Sequence, residues 1–153
     1  MTSNDPTVLA ERLIAENAYL TIATVDPAGD PWSTPVWFAP DGRAGFVWAS
    51  KPGARHSLNI AAHPVVAITI FDSSRPPGDG SAVYAAARAE EVDERGRDGA
   101  LALYNARSVD RGLPRWSVEQ LSGDARHRLY RATVIAMYVL DDHDERVVVP
   151  SIR

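Results

Sequence analysis

The sequence predicts a mainly β domain with peripheral helices: roughly six or seven short antiparallel strands closing into a small barrel. Three observations predict it. Apolar, β-branched runs of strand length recur along the chain, among them Tyr19 to Val25 and Val65 to Phe71. The early runs are joined by tight turns, Asp26-Pro-Ala-Gly-Asp30 and Pro40-Asp-Gly-Arg43, which are too short for the crossovers that parallel strands need. Helical periodicity is confined to a few segments inserted between those runs.

The elements follow in order. Asn4-Asp5-Pro6-Thr7 is a helix start, with a capping side chain followed by proline, and Val8, Leu9, Leu13, Ile14 and Ala18 give the helix one apolar face. Tyr19 to Val25 is the first strand. Trp32 to Ala39 is the second, and Pro35 inside it implies an edge, a bulge or an unneeded ladder bond. Ala44 to Ala49 is the third. Gly53 to His63 is helical in pattern, with Ala54, Leu58, Ala61 and Ala62 expected to face inward. Pro64 to Phe71 is nearly all apolar and reads as a strand buried on both faces. Asp72 to Gly80 is a loop.

Ser81 to Val92 is rich in alanine, which suits a helix, but its place in the topology favours a strand. Asp93 to Ser108 reads as a helix capped by Asp93, and Trp116 to Leu121 as about two further helical turns. Arg128 to Leu140 is a long strand. Asp141 to Asp144 is its turn, and Glu145 to Pro150 closes the fold. No repeat or linker divides the 153 residues, so one domain over 1–153 is expected.

Composition narrows the function. A 45% hydrophobic, 24% charged chain can bury a core, and a net charge of -4 argues against a nucleic-acid partner. The absence of cysteine excludes disulfides, thiolate chemistry and Cys-ligated metals, and suits a reducing compartment. The amino terminus lacks a basic region followed by an apolar one, and no window approaches the roughly 18 apolar residues of a membrane span. A soluble, cytoplasmic protein without a membrane partner is the expectation.

The most informative stretch is Trp48 to Pro64. Ser50, Lys51, Arg55, His56 and Ser57 surround Gly53, where a helix starts with unsatisfied N–H groups, and hydroxyls, cations and a helix start make an anion cradle. His56 and His63 sit at helical spacing without a third ligand, so no metal site is expected. Asp141 to Glu145 reads as a solvated turn. No Gly-x-Ser-x-Gly elbow supports a hydrolytic triad.

In the order of its elements, Tyr19 to Phe71 resembles the pyridoxamine 5'-phosphate oxidase-like superfamily of FMN-binding split β-barrels. The residues that carry the resemblance are Tyr19-Leu-Thr-Ile-Ala-Thr-Val25, Pro31-Trp-Ser-Thr-Pro-Val-Trp-Phe38, Gly45-Phe-Val-Trp-Ala-Ser50 and Ala54-Arg-His-Ser-Leu-Asn-Ile-Ala-Ala-His-Pro-Val-Val66. The resemblance implies FMN as cofactor, bound between the subunits of a homodimer. Arg55 and His56 would hold its phosphate, with Ala49, Ser50 and Lys51 beside them. Thr34, Pro35, Val36 and Trp37 would line the isoalloxazine, largely through backbone groups.

Two departures bear on the substrate. The family's oxidase carries arginine and lysine on the strand that here reads Thr34 to Ala39, and an Arg-Leu-His segment where this chain has Arg146-Val147-Val148; Tyr138 stands at its tryptophan. A small molecule other than pyridoxamine phosphate is therefore the expected substrate. Related members imply the deazaflavin F420 as the alternative cofactor, with Lys51, Arg55 and Arg75 for its anionic tail. A non-catalytic flavin-binding module is another reading. Haem binding is a third, with His56, His63, His127 or His143 as axial ligands.

Overall fold

The computed structural model describes residues 5–152. Helix α1 (Pro6–Glu16) begins where Asp5 accepts a hydrogen bond from the Thr7 N–H at 2.8 Å and Pro6 occupies the first turn, where a missing N–H costs nothing. Asn4, also part of the expected start, lies outside the described residues. Strands β1 (Tyr19–Val25), β2 (Pro31–Trp37), β3 (Ala39–Asp41) and β4 (Gly45–Ser50) precede helix α2 (Arg55–Ala62). Strands β5 (Val65–Phe71) and β6 (Ala82–Glu91), helix α3 (Arg97–Asp110), and strands β7 (Arg128–Leu140) and β8 (Arg146–Val149) complete the chain. All pairings are antiparallel, in the order β2-β1-β5-β6-β7-β4-β3, with β8 on β7.

That order shows how the barrel closes. β2 and β3 are consecutive in the chain yet lie at opposite ends of the sheet, so the backbone changes partners at Phe38. The expected Trp32–Ala39 strand is therefore split: Trp37 still pairs with Tyr19, whereas Ala39 already pairs with Val47. Phe38 is fully buried and packs edge-on against Phe46, 5.5 Å between ring centroids. Pro35 and Pro40 occupy the two end strands, where a missing N–H removes no interior ladder bond. Gly45 permits the close passage of β4 against β7: a Cβ there would meet the Ala132 carbonyl oxygen at 2.5 Å.

The main core fills the concave face with Leu20, Ile22, Trp48, Ile68, Ile70 and Val83, and Ala10, Leu13 and Ile14 of α1 join it. A second cluster lies under α3, where Ala39, Val47 and Leu129 meet Leu101 and Tyr104. Burial and, secondarily, the Tyr19 phenol raise the Tyr104 pKa to about 12.

Four expectations are corrected. β5 alternates instead of being buried on both faces: Val66, Ile68 and Ile70 point inward, while Val65 and Phe71 are 56% and 52% exposed, because no layer covers the convex face of the described chain. α2 turns Ser57, Asn59 and Ile60 inward and leaves Leu58, Ala61 and Ala62 exposed, since its buried polar side chains face partners on β1 and β7. α3 starts at Arg97, and Asp93 instead accepts from the Gly96 N–H in the preceding turn at 2.9 Å. The segment from Trp116 forms only a short 3-10 turn, Glu119–Leu121. Asn105 holds Trp116 there by a reciprocal pair, accepting from its N–H at 2.7 Å and donating to its carbonyl at 2.8 Å.

The expected Ser81 to Val92 strand is β6, Ala82–Glu91, as topology required, and Asp141 to Asp144 is a turn organised by the Asp141 carboxylate, which accepts from the His143 and Glu145 N–H groups.

Candidate functional site

The two ends of one strand-turn-helix unit build the site. β4 ends at Ser50, the turn Lys51 to Ala54 closes with the Ala54 N–H donating to the Lys51 carbonyl at 3.0 Å, and α2 begins at Arg55. Ala54, at the N-cap, supplies no side-chain acceptor to the helix start, so the first turn keeps donor capacity for a ligand. His56 Nε2 lies 2.8 Å from Ser50 Oγ. Burial lowers the His56 pKa from its ordinary 6.5, so at neutral pH the free ring is uncharged and an anion beside it would draw a proton onto it.

Arg55 stacks its guanidinium over the Trp32 ring, 4.4 Å from the centroid. Neither Arg55 nor exposed Lys51 forms a salt bridge with a carboxylate among the described residues, in contrast to Arg43, Arg75 and Arg128. Ser57 Oγ is buried against the Tyr130 phenol without completing a hydrogen bond in geometry, although the contact offsets part of the rise that burial gives the Tyr130 pKa. Two unpaired cations, two hydroxyls and a protonatable imidazole at an uncapped helix start match the donor set a phosphate monoester needs.

The structure brings some of the expected cofactor residues together and leaves others apart. Ser50, Arg55 and His56 come together, with Lys51 at the same turn. Val36 belongs to the main core, and Trp37 and Ala49 pack into the α3 cluster, where Trp37 meets Tyr104 edge-on at 5.1 Å. Thr34 is half-buried and Pro35 exposed on the edge strand. These positions offer a ring backbone and edges rather than an open aromatic slot within one chain. Arg75 does not join the cradle. It follows the far end of β5, which at about 3.3 Å per residue lies roughly 20 Å from the end nearest α2, and it is paired with Asp72 and Asp79.

The histidines do not converge either. His63 caps the carboxy-terminal end of α2, His127 meets Trp116 edge-on just before β7, and His143 lies in the β7–β8 turn. Among the described residues no group of three or more metal-ligating side chains forms.

Sequence reasoning gave no site role to Thr24, and weighed Trp32 only as an aromatic able to flank a flat ring, with core or dimer-interface packing favoured over that role. Asn59 Nδ2 donates to Thr24 Oγ1 at 3.0 Å, and Thr24 Oγ1 reaches the Trp32 carbonyl at 3.5 Å. The signal was present: strand alternation puts Trp32, Thr34 and Val36 on one side of β2, the side toward α2. His127 stands just past the Ser50–Arg128 pair in the β4–β7 register, opposite Lys51, and its pKa is lowered by burial first and then by Arg126 and Lys51.

A cavity of about 970 Å³ lies elsewhere, between α1, the 72–81 loop and the β7–β8 turn; Leu9, Phe71, Tyr84 and Val147 are among its lining residues, as are Arg75 and His143, while none of the residues expected to hold FMN is.

The family model for pyridoxamine 5'-phosphate oxidase matches residues 9–141. Solved structures share the fold. The haem storage protein HutZ from Vibrio cholerae is 21% identical, covers 86% of this chain and 92% of its own, and superposes with a TM-score of 0.67. A structure described as an F420 reductase is 24% identical over 83% of this chain and 94% of its own, TM-score 0.61. A FAD-binding protein from Mesorhizobium loti is 18% identical over 86% of this chain and 91% of its own, TM-score 0.62. No curated protein matches the sequence. With the family model spanning α1 through β7, the chain belongs to the pyridoxamine 5'-phosphate oxidase family.

Proposed function

We propose that the protein is a homodimeric, FMN-dependent oxidoreductase of the cytoplasm acting on a small molecule other than pyridoxamine phosphate. The observation that carries this reading is the pair of uncompensated cations, Lys51 and Arg55, at an uncapped helix start beside the Ser50–His56 hydrogen bond. Arg55 offers a planar fork to phosphate oxygens, Lys51 a point charge, and His56 a donor whose charge follows the phosphate. Bound flavin would supply hydride or electron transfer; the chain's residues would bind and orient it.

What one chain leaves open supports the homodimer reading. The convex sheet face presents Tyr19, Val65, Phe71 and Val148, all more than half exposed, around the small residues Ala23, Ala67 and Ala86. That is an apolar surface suited to a flat self-complementary contact. The predicted ring residues are partly covered within the chain, so a second copy is the natural source of the missing wall.

F420 is the second cofactor reading, favoured by the structural likeness to an F420 reductase. With Arg75 at the far end of β5, its tail would have to be met by Lys51, Arg126 and His127. Absorbance of the purified protein in the flavin bands, then titration with FMN and with F420, distinguishes the cofactors. Failure of both to bind at micromolar concentration would sink the oxidoreductase and the flavin-binding module together. If one binds, turnover with a nicotinamide donor and oxygen or a quinone separates an enzyme from a binding module.

A further inference from the structure

We propose that Trp32 is the positioning residue of the phosphate cradle, a platform that fixes Arg55 in the orientation an anion needs; this rests on the flavin-phosphate reading above. A lone surface arginine samples many rotamers, and ordering it costs binding energy each time a ligand arrives. Here the guanidinium already lies over the indole, 4.4 Å from its centroid. Stacking uses the face of the guanidinium and leaves its N–H edge free for a phosphate.

The platform is itself anchored. Asn59, one helical turn after Arg55 on α2, is 4% exposed and donates to Thr24 on β1, itself 2% exposed, at 3.0 Å. Thr24 pairs in register with Trp32 and its hydroxyl approaches the Trp32 carbonyl at 3.5 Å. Two buried polar side chains, each satisfied by the other, thus tie the helix carrying Arg55 to the strand carrying Trp32. The relay sets where the ring and the guanidinium meet. Trp32 is 41% exposed on an end strand and absent from both core clusters, so a role in holding the fold does not account for it.

The test is a titration of FMN and of riboflavin, which lacks the phosphate, into the wild-type protein, Trp32→Ala, Trp32→Phe, Arg55→Ala and the double variant of Trp32→Ala with Arg55→Ala. Trp32→Ala should weaken FMN about two- to fivefold, the size of a partly exposed cation–π contact, leave riboflavin unchanged, and be largely rescued by Trp32→Phe. In the Arg55→Ala background the same change should have no further effect on FMN. Equal weakening of both ligands, no weakening of FMN, or an undiminished effect without Arg55 would overturn the positioning role while leaving the flavin reading standing. A wild-type protein that binds neither ligand would overturn that reading and this role with it.

Discussion

The two ends of β5 carry opposite arrangements of space and charge. At the α2 end Lys51 and Arg55 stand without carboxylate partners among the described residues, beside a helix start. At the loop end there is a cavity of about 970 Å³, but its Arg75 is engaged by Asp72 and Asp79, and Asp141 spends its carboxylate on the turn it organises. Volume alone would direct attention to the second end. Affinity for an anionic cofactor depends on donors whose charge is not already compensated, which directs it to the first. The convex sheet face runs between them, and the proposed second subunit would bring the two ends of different copies into relation.

Four perturbations break or sharpen that contrast. The largest effect is expected from Ala67→Arg, which places a cation in the middle of the apolar sheet face without touching either end. Sedimentation analysis should show dimer converted to monomer, with flavin binding lost; a variant that stays dimeric would move the interface elsewhere. Next, Arg55→Ala should weaken FMN about ten- to a hundredfold, as expected for a lost charge-assisted hydrogen bond, and spare riboflavin. Similar losses for both flavins would refute the phosphate role.

His56→Asn should cost a few-fold and change the pH response. The free-state His56 pKa is lowered by burial and a bound dianion raises it, so binding takes up a proton and wild-type FMN affinity should fall as pH rises from the lowered free-state value through the raised bound-state value. The Asn variant should lose that slope; an unchanged slope would remove His56 from the account. Smallest of all, Arg75→Ala should alter FMN affinity less than about twofold, since its charge is compensated on an exposed loop. A large loss there would mean that the cavity end, completed by a second copy, binds the phosphate.

Most strands and turns were legible because local chemistry settled them. Asp26 to Asp30 carries its turn in its own residues: the Asp26 carboxylate accepts from Ala28 and Asp30, and Gly29 takes a positive φ of 89°. β7 was readable end to end for the same reason, as a long β-branched run between a basic start and an acidic turn. What failed was decided at a distance. No local signal marks Phe38 as the point where the backbone leaves β1 for β4, because only barrel closure requires it. The inward face of α2 was misread because alanines looked like core, whereas Asn59 and Ser57 are buried toward Thr24 and Tyr130 on other strands.

The site divides in the same way. Ser50, Arg55 and His56 are close in sequence and meet in space, so spacing revealed them. The Trp32 platform joins residues 23 positions apart through strand register, and spacing could not reveal it. Trp37 was placed at the ring and Ala49 beside the phosphate by position alone; the helix Asp93 to Ser108 was legible, but not that α3 packs over both of them.

The central claim is that the start of α2 recognises a flavin through its phosphate. Titration of the unmodified protein with FMN and riboflavin, followed by flavin fluorescence, tests it most directly. FMN should bind at micromolar concentration or below and at least about tenfold more tightly than riboflavin, the share expected of charge-assisted contacts to the phosphate. Equal affinity for the two would contradict the account.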